Sequence, residues 1–390
     1  MSYFPLTTSQ KEWQERTRQI AEEEIGPRSA GYDQNSEYPK DSLGALRDAG
    51  LWALRASKEY GGIGADLLTT CLVVEEISKK CPSTAMCYKM HLEATELLNL
   101  IPTPYQVERF VKPLAKGEVF ATVAGGESTG TTGQDWRSAA LEVAKFKKAN
   151  GQIMIDNVRK SYVTSAGQVT HYAMFCQVEG HYDEGPPNML IVESDGIEWE
   201  VLGEWTGLGM RGNASSPMRF NGSVPEENLI GADIPTATMW GTYLMPALVL
   251  TYGAAYLGIA SGAFELACVE AAKTYPSGAR RIDDPVNKRR MAEMSAQIEA
   301  ARALLHAAAH AADQGRVTSP LPFIQAKVLC SEAAVRVTQD LMTMFGGTAF
   351  AGRLPFERYF RDARAGMVMG VANDAAYQQI AGMLFPQDPS

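Results

Sequence analysis

Chemistry-bearing residues concentrate in a few stretches of this chain. Lys160-Ser-Tyr-Val-Thr-Ser165 puts one aromatic and several hydroxyls into a polar connection. Ala124-Gly-Gly-Glu-Ser-Thr-Gly-Thr-Thr-Gly133 is a glycine- and hydroxyl-rich run. Such a run exposes backbone N–H groups and side-chain oxygens that can contact a phosphate, and Glu127, Ser128 and Thr129 lie at its centre. Phe345-Gly346-Gly347 offers backbone that a ligand can approach closely. Arg280 and Arg281 are cations that could meet a phosphate. His91 sits in the helical run Tyr88-Lys-Met-His-Leu92, and Asp374 stands one helical turn past Gly370. His306 and His310 have the i, i+4 spacing of a metal pair. Their alanine-rich surroundings offer no carboxylate donor, so a plain helix face is expected and no metal site is assigned.

The elements that must position these residues follow from periodicity. From Ser9 to Glu118 the pattern is helical. Helices are predicted from Gln10, over 42–49, over 66–79 and over 83–100. From Val119 short alternating runs appear. Strands are predicted over 141–146, 152–156, 172–177, 189–193 and 217–221, with Lys160–Ser165 as a loop between two of them. From Asp233 long helices return, over 239–272, 287–314, 321–345 and 374–383. The order predicts three domains: 1–118 helical, 119–232 a small antiparallel β domain, and 233–390 a helical bundle.

The bulk numbers agree with a soluble globular protein of two or three domains. The chain has 390 residues, 45% hydrophobic and 21% charged, with a formal net charge of −9. That acidity disfavours nucleic acid and anionic membrane as partners. The six cysteines show no C-x-x-C spacing and read as isolated thiols in a reducing, cytoplasmic setting. The N-terminal residues Met1-Ser-Tyr-Phe-Pro-Leu6 have neither the basic nor the apolar region of a signal peptide.

Three of these stretches resemble the acyl-CoA dehydrogenase family of flavoenzymes. Tyr162 and Thr164 stand where that family has Lys-x-Trp-Ile-Thr. Glu127 fits the glutamate of its Thr-Glu-Pro-x-x-Gly-Ser-Asp run, although Gly126 and Ser128 replace the flanking residues. Phe345-Gly-Gly347 through Pro355-Phe-Glu-Arg-Tyr-Phe-Arg-Asp362 is the strongest match, and Trp205 to Ser216 resembles the stretch that closes the β domain. The likeness runs from about residue 8 to 383. It implies a mainly α fold with a central β domain and a C-terminal four-helix bundle. It also implies FAD held by Glu127, Ser128, Thr129, Tyr162, Thr164, Arg281, Phe345, Gly346 and Gly347. A homotetramer is implied, with FAD bound at a subunit interface. An acyl-CoA or acyl-carrier thioester is the implied substrate, and an electron-transfer protein a possible partner.

One departure bears on the chemistry. The family's catalytic glutamate falls at Gly370, and the alternative position, near Leu248, is apolar too. Asp374 and His91 are the candidate replacements. The expected reaction is α-proton and β-hydride transfer on an unusual thioester. The alternatives are a flavin monooxygenase of the same fold, in which His91 would be at home, and a catalytically silent subunit. A glutamate restored at 370 is expected to raise oxidation of simple acyl-CoAs.

Overall fold

The computed structural model describes residues 5–126, 143–181, 186–316 and 319–385. Helix α1 (Thr8–Ile20) begins at a capping box in which Thr7 and Gln10 satisfy each other's backbone N–H groups, two residues earlier than the sequence pattern indicates. Asp66 caps α2 (Leu67–Lys80) by accepting from Thr69 N. Cys81 breaks the path, and Pro82 opens α3 (Pro82–Leu100), where its missing N–H costs nothing. Both helices are buried around nearly their whole circumference, as central elements of a large core.

The β layer comprises β1 (Ala121–Ala124), β2 (Lys145–Ala149), β3 (Gln152–Val163), β4 (His171–Val178), β5 (Asn188–Glu193), β6 (Glu198–Val201), β7 (Ser216–Pro225) and β8 (Leu229–Ile230). The strand order is β6-β7-β3-β2-β4-β5-β8, with β1 added on β4. Most pairings are antiparallel, but β1 and β2 each run parallel to β4. The sequence pattern carries no signal for those two crossovers. Strand β3 also runs further than expected. An irregularity between Ile155 and Val158 resets its register on β7, and Asn157 takes a left-handed φ of 49° there. Lys160 to Val163 therefore belong to a strand rather than to a loop.

Helices α4 (Met245–Ala272), α5 (Pro285–Asp313), α6 (Leu321–Phe345) and the shorter α7 (Phe356–Ala363) and α8 (Asn373–Leu384) complete the fold. Helix α4 packs on α2, α3 and α6 at once. A side chain at Gly262 would lie 2.2 Å from Lys79 O, so only glycine permits the α2–α4 approach. The stretch 236–272 is long and apolar enough to cross a membrane, but most of it is buried inside the fold, as a core helix is. Arg361 of α7 pairs with Asp33 at 2.5 Å, while Asp362 accepts from Met210 N at 2.5 Å. These bonds fasten the C-terminal helices to the N-terminal helices and to the β layer.

Candidate active site

The predicted site residues fall into separate groups. The first is at the end of β3. Tyr162 is 73% exposed, a large aromatic face open to a planar ligand. Thr164 is buried two residues on, its hydroxyl 2.9 Å from Ser215 Oγ. Ser161 N donates to Gly126 O at 3.2 Å, so the described start of the glycine- and hydroxyl-rich run, Ala124 to Gly126, lies beside the strand that carries Tyr162. The Ser161 hydroxyl is buried without a hydrogen-bond partner among the described residues, a polar atom suited to an incoming ligand. Glu127, Ser128 and Thr129 lie outside the described residues.

The second group is at the end of α6. Arg281 donates to Met344 O at 2.6 Å and stands 4.9 Å from the centre of the Phe345 ring. Phe345 stacks on Phe356 at 4.3 Å. Gly346 has φ 53° and ψ −131°, a conformation that favours glycine. A Cβ at Gly346 or Gly347 would meet nothing within 4 Å, so this backbone faces open space. Two groups with these properties fit a long dinucleotide cofactor: a planar aromatic with hydroxyls for the ring end, and a cation with bare backbone for the phosphate and adenine end.

The third group surrounds Gly370. This residue has φ 73°, and a Cβ on it would lie 2.9 Å from Tyr252 Cδ2. The side-chain space that a glutamate would need is thus filled by the ring of Tyr252, from α4. That packing corrects the expectation that a glutamate simply placed at 370 would restore a base. Against the same ring, 3.3 Å from its centre, lies the ammonium of Lys89. Lys89 is fully buried and forms an ion pair with Glu93, one turn along α3. Burial pushes the Lys89 pKa down to about 8, opposed by the neighbouring Glu93 charge. The Tyr252 hydroxyl donates to Met90 Sδ at 3.5 Å.

The loop that carries Gly370 is held from below. Lys327 of α6 donates to Gly366 O at 2.8 Å, Val371 O at 2.6 Å and Asn373 Oδ1 at 2.7 Å. Burial lowers its pKa to about 8. Ser331 adds a bond to Asn373 Oδ1 at 3.1 Å.

The other two candidate replacements do not join this group. His91 Nε2 lies 2.8 Å from Trp52 O, and Nδ1 accepts from Ala121 N at 3.1 Å. Both ring nitrogens are engaged with backbone, and the ring stacks 4.8 Å from Phe120. Burial lowers its pKa to about 4. His91 thus stands as a pin between α3 and β1, with both ring nitrogens turned to backbone. Asp374 is exposed in the first turn of α8, where its charge suits the helix N-terminus. The helix begins one residue before it, at Asn373.

Comparison with known proteins decides the family. The description "Acyl-CoA dehydrogenase, N-terminal domain" matches residues 7–118, and "Acyl-CoA dehydrogenase, C-terminal domain" matches residues 250–384. The chain belongs to the acyl-CoA dehydrogenase family. It is an acyl-CoA dehydrogenase-like flavin oxidoreductase of the class acting on CH–CH groups, and FAD is its cofactor. It is 27–28% identical over 375 residues or more to curated relatives. One is the short-chain-specific acyl-CoA dehydrogenase of Clostridium acetobutylicum, 28% identical with 98% of this chain and 99% of that one covered. Another is the 3-sulfinopropanoyl-CoA desulfinase of Paraburkholderia xenovorans, 27% identical with 98% of each covered. The solved butyryl-CoA dehydrogenase of Megasphaera elsdenii superposes with a TM-score of 0.87 at 23% identity, over 98% of this chain and 99% of that one. The family reading of the sequence therefore holds. What sequence reasoning missed is the Lys89, Glu93 and Tyr252 group. A Lys–Glu pair at i, i+4 reads on paper as an exposed helix-face ion pair.

Proposed function

We propose that this protein is an FAD-dependent oxidoreductase acting on an unusual acyl-CoA or carrier-bound thioester, by transfer of an α-proton and a β-hydride. The observation that carries this reading is the rebuilt site around position 370. The loop is clamped by Lys327, as a substrate-facing loop needs, yet its side-chain space is taken by Tyr252 from α4. The ring of Tyr252 occupies the space beside position 370, and the buried, charged Lys89–Glu93 pair has its ammonium against that ring. We therefore read the acyl group as short or polar. When bound, FAD supplies the two-electron acceptor. Tyr162 would cover its ring, Thr164 would offer a hydroxyl, and Arg281 with Gly346 and Gly347 would meet its far end.

The same reading includes the three-domain division at 118/119 and 232/233, a cytoplasmic homotetramer, and an electron-transfer protein as reoxidant. A relative named for desulfination at similar identity widens the substrates worth trying. The test is anaerobic titration of purified holoprotein with butyryl-CoA, glutaryl-CoA and 3-sulfinopropanoyl-CoA. Bleaching of the flavin band by at least one, with no oxygen-18 from labelled dioxygen entering the product under air, is the expected result. Label in the product, or bleaching by none of the three, overturns it.

A further inference from the structure

Among the largely buried ion pairs of the described residues, Lys79–Glu76 also lies on one helix, but Lys79 reaches Glu265 of α4 and Glu76 reaches Arg18 of α1, whereas Lys89–Glu93 has no such third charged member. Arg55–Glu96, Arg302–Glu75 and Arg361–Asp33 each join segments far apart in sequence, so each fastens the fold. Lys89 and Glu93 stand on adjacent turns of one helix, so their ion pair itself joins no second element. Removing two charges from water is costly, and a pair that ties no elements together does not offset that by architecture. Around Lys89 Nζ the remaining contacts are weak acceptors: Met90 Sδ at 3.5 Å and the Tyr252 ring. The charged group acting on it is Glu93; α4 presents only the neutral rings of Tyr252 and Tyr256, which stack at 6.1 Å. Costly buried ionisable groups without a structural use mark functional sites.

Their place is equally specific. The ring that Lys89 touches is the ring that a side chain at Gly370 would collide with. A carboxylate at 370 would need the space that Tyr252 fills, and the Lys89 ammonium is packed on that same ring. We propose that the Lys89–Glu93 pair, packed on Tyr252, is the proton-transfer group of this enzyme and stands in for the carboxylate that position 370 lacks. This rests on the thioester reading above.

In oxidation, the substrate Cα–H bond breaks and its proton goes to unprotonated Lys89 Nζ. The electron pair left on Cα becomes the new C=C bond. The β-hydrogen leaves with its own electron pair to the oxidant that the established activity supplies. Protonation turns Lys89 and the Glu93 anion into a neutral pair, which favours the transfer. In reduction, the Lys89 ammonium returns the proton to Cα. The base form accumulates as pH rises through about 8.

Deuterium exchange at Cα tests this without requiring turnover. Holoprotein is incubated in D₂O with butyryl-CoA, glutaryl-CoA and 3-sulfinopropanoyl-CoA, and label at Cα is counted by mass spectrometry. Wild-type exchange should rise about tenfold per pH unit below 8 and level off above it. Glu93→Gln removes the anion that holds the proton on Nζ, so its midpoint should move to lower pH. Lys89→Met should lose exchange by roughly 10²–10⁴-fold. Because Lys89→Met leaves Glu93 unpaired and could fail to fold, the double variant Lys89→Met/Glu93→Leu is the decisive one. It should fold, retain FAD, melt no lower than wild type, and lose exchange to the same extent. Exchange in the double variant within tenfold of wild type, with an unmoved pH profile, overturns the proposal. If that happens while the flavin still bleaches, the thioester reading stands and only the assignment of the pair falls. If no thioester bleaches the flavin or exchanges, both fall together.

Discussion

At the scale of single residues, Gly370 shows how a missing side chain can be compensated by its neighbours. Gly370→Glu must place a non-glycine residue at φ 73° and move Tyr252. The left-handed backbone alone costs about 1–2 kcal/mol. The expected outcome is a lower melting temperature and no gain in flavin bleaching by butyryl-CoA. A gain with unchanged stability would mean that Tyr252 yields easily, contrary to the packing described. Lys327 is the second residue with a sharp consequence. Lys327→Met strands two backbone carbonyls and the Asn373 side chain, and a buried acceptor left unpaired costs about 1–3 kcal/mol. Loss of its three bonds should loosen residues 366–373, read as faster amide exchange there and a higher KM. Unchanged exchange would show that Ser331 and packing suffice. Tyr162 and Thr164 were legible because they are neighbours in sequence and match a short motif. Tyr252 was not, because its partners Gly370 and Lys89 lie more than a hundred residues away in each direction.

At the scale of elements, the long helices were readable and their faces were not. The periodicity predicts 321–345 exactly as α6 is observed, but α3 is buried all round and shows no polar stripe from which to place Lys89 inside. In the β layer, alternation found β4, β5 and β7, while the parallel addition of β1 to β4 depends on a crossover that local pattern does not encode. His91 joins these two elements, and acid should expose its role. Unfolded, a histidine has a pKa near 6.5; folded, His91 sits at about 4. Between those values the unfolded chain binds the extra proton, so stability is full above about 6.5 and falls as pH drops toward 4. The loss amounts to about 3 kcal/mol for the full shift. Protonation at Nδ1 would also set two N–H groups against each other at Ala121. Urea unfolding of wild type and His91→Gln across this pH window should therefore differ in slope, with the variant flatter. Equal slopes would assign the acid sensitivity to other groups.

At the scale of the whole molecule, the cofactor residues of one chain form two groups that share no described contact: Tyr162 with Thr164 on the β layer, and Arg281 with Phe345, Gly346 and Gly347 at the end of α6. The proposed tetramer explains this division. If each FAD takes its ring end from one subunit and its far end from a neighbour, the two groups of a given chain serve different sites. Variants then complement. Take Thr164→Val, which removes the hydroxyl at the ring end, and Arg281→Ala, which removes the cation at the far end. Each homo-oligomer should carry a defect in every site and retain less FAD than wild type. In mixed oligomers some sites draw both ends from unaltered partners, while others carry both defects. Co-expressing the two chains with different tags, and purifying through both, should recover sites of near wild-type affinity alongside sites that hold almost no FAD. The titration would be biphasic. If instead each FAD is bound within one chain, mixing brings no unaltered pair together, and the mixed oligomer should bind FAD as the simple average of its two parents. Light scattering on the same samples would report the number of chains, and a monomer would remove the basis for shared sites altogether.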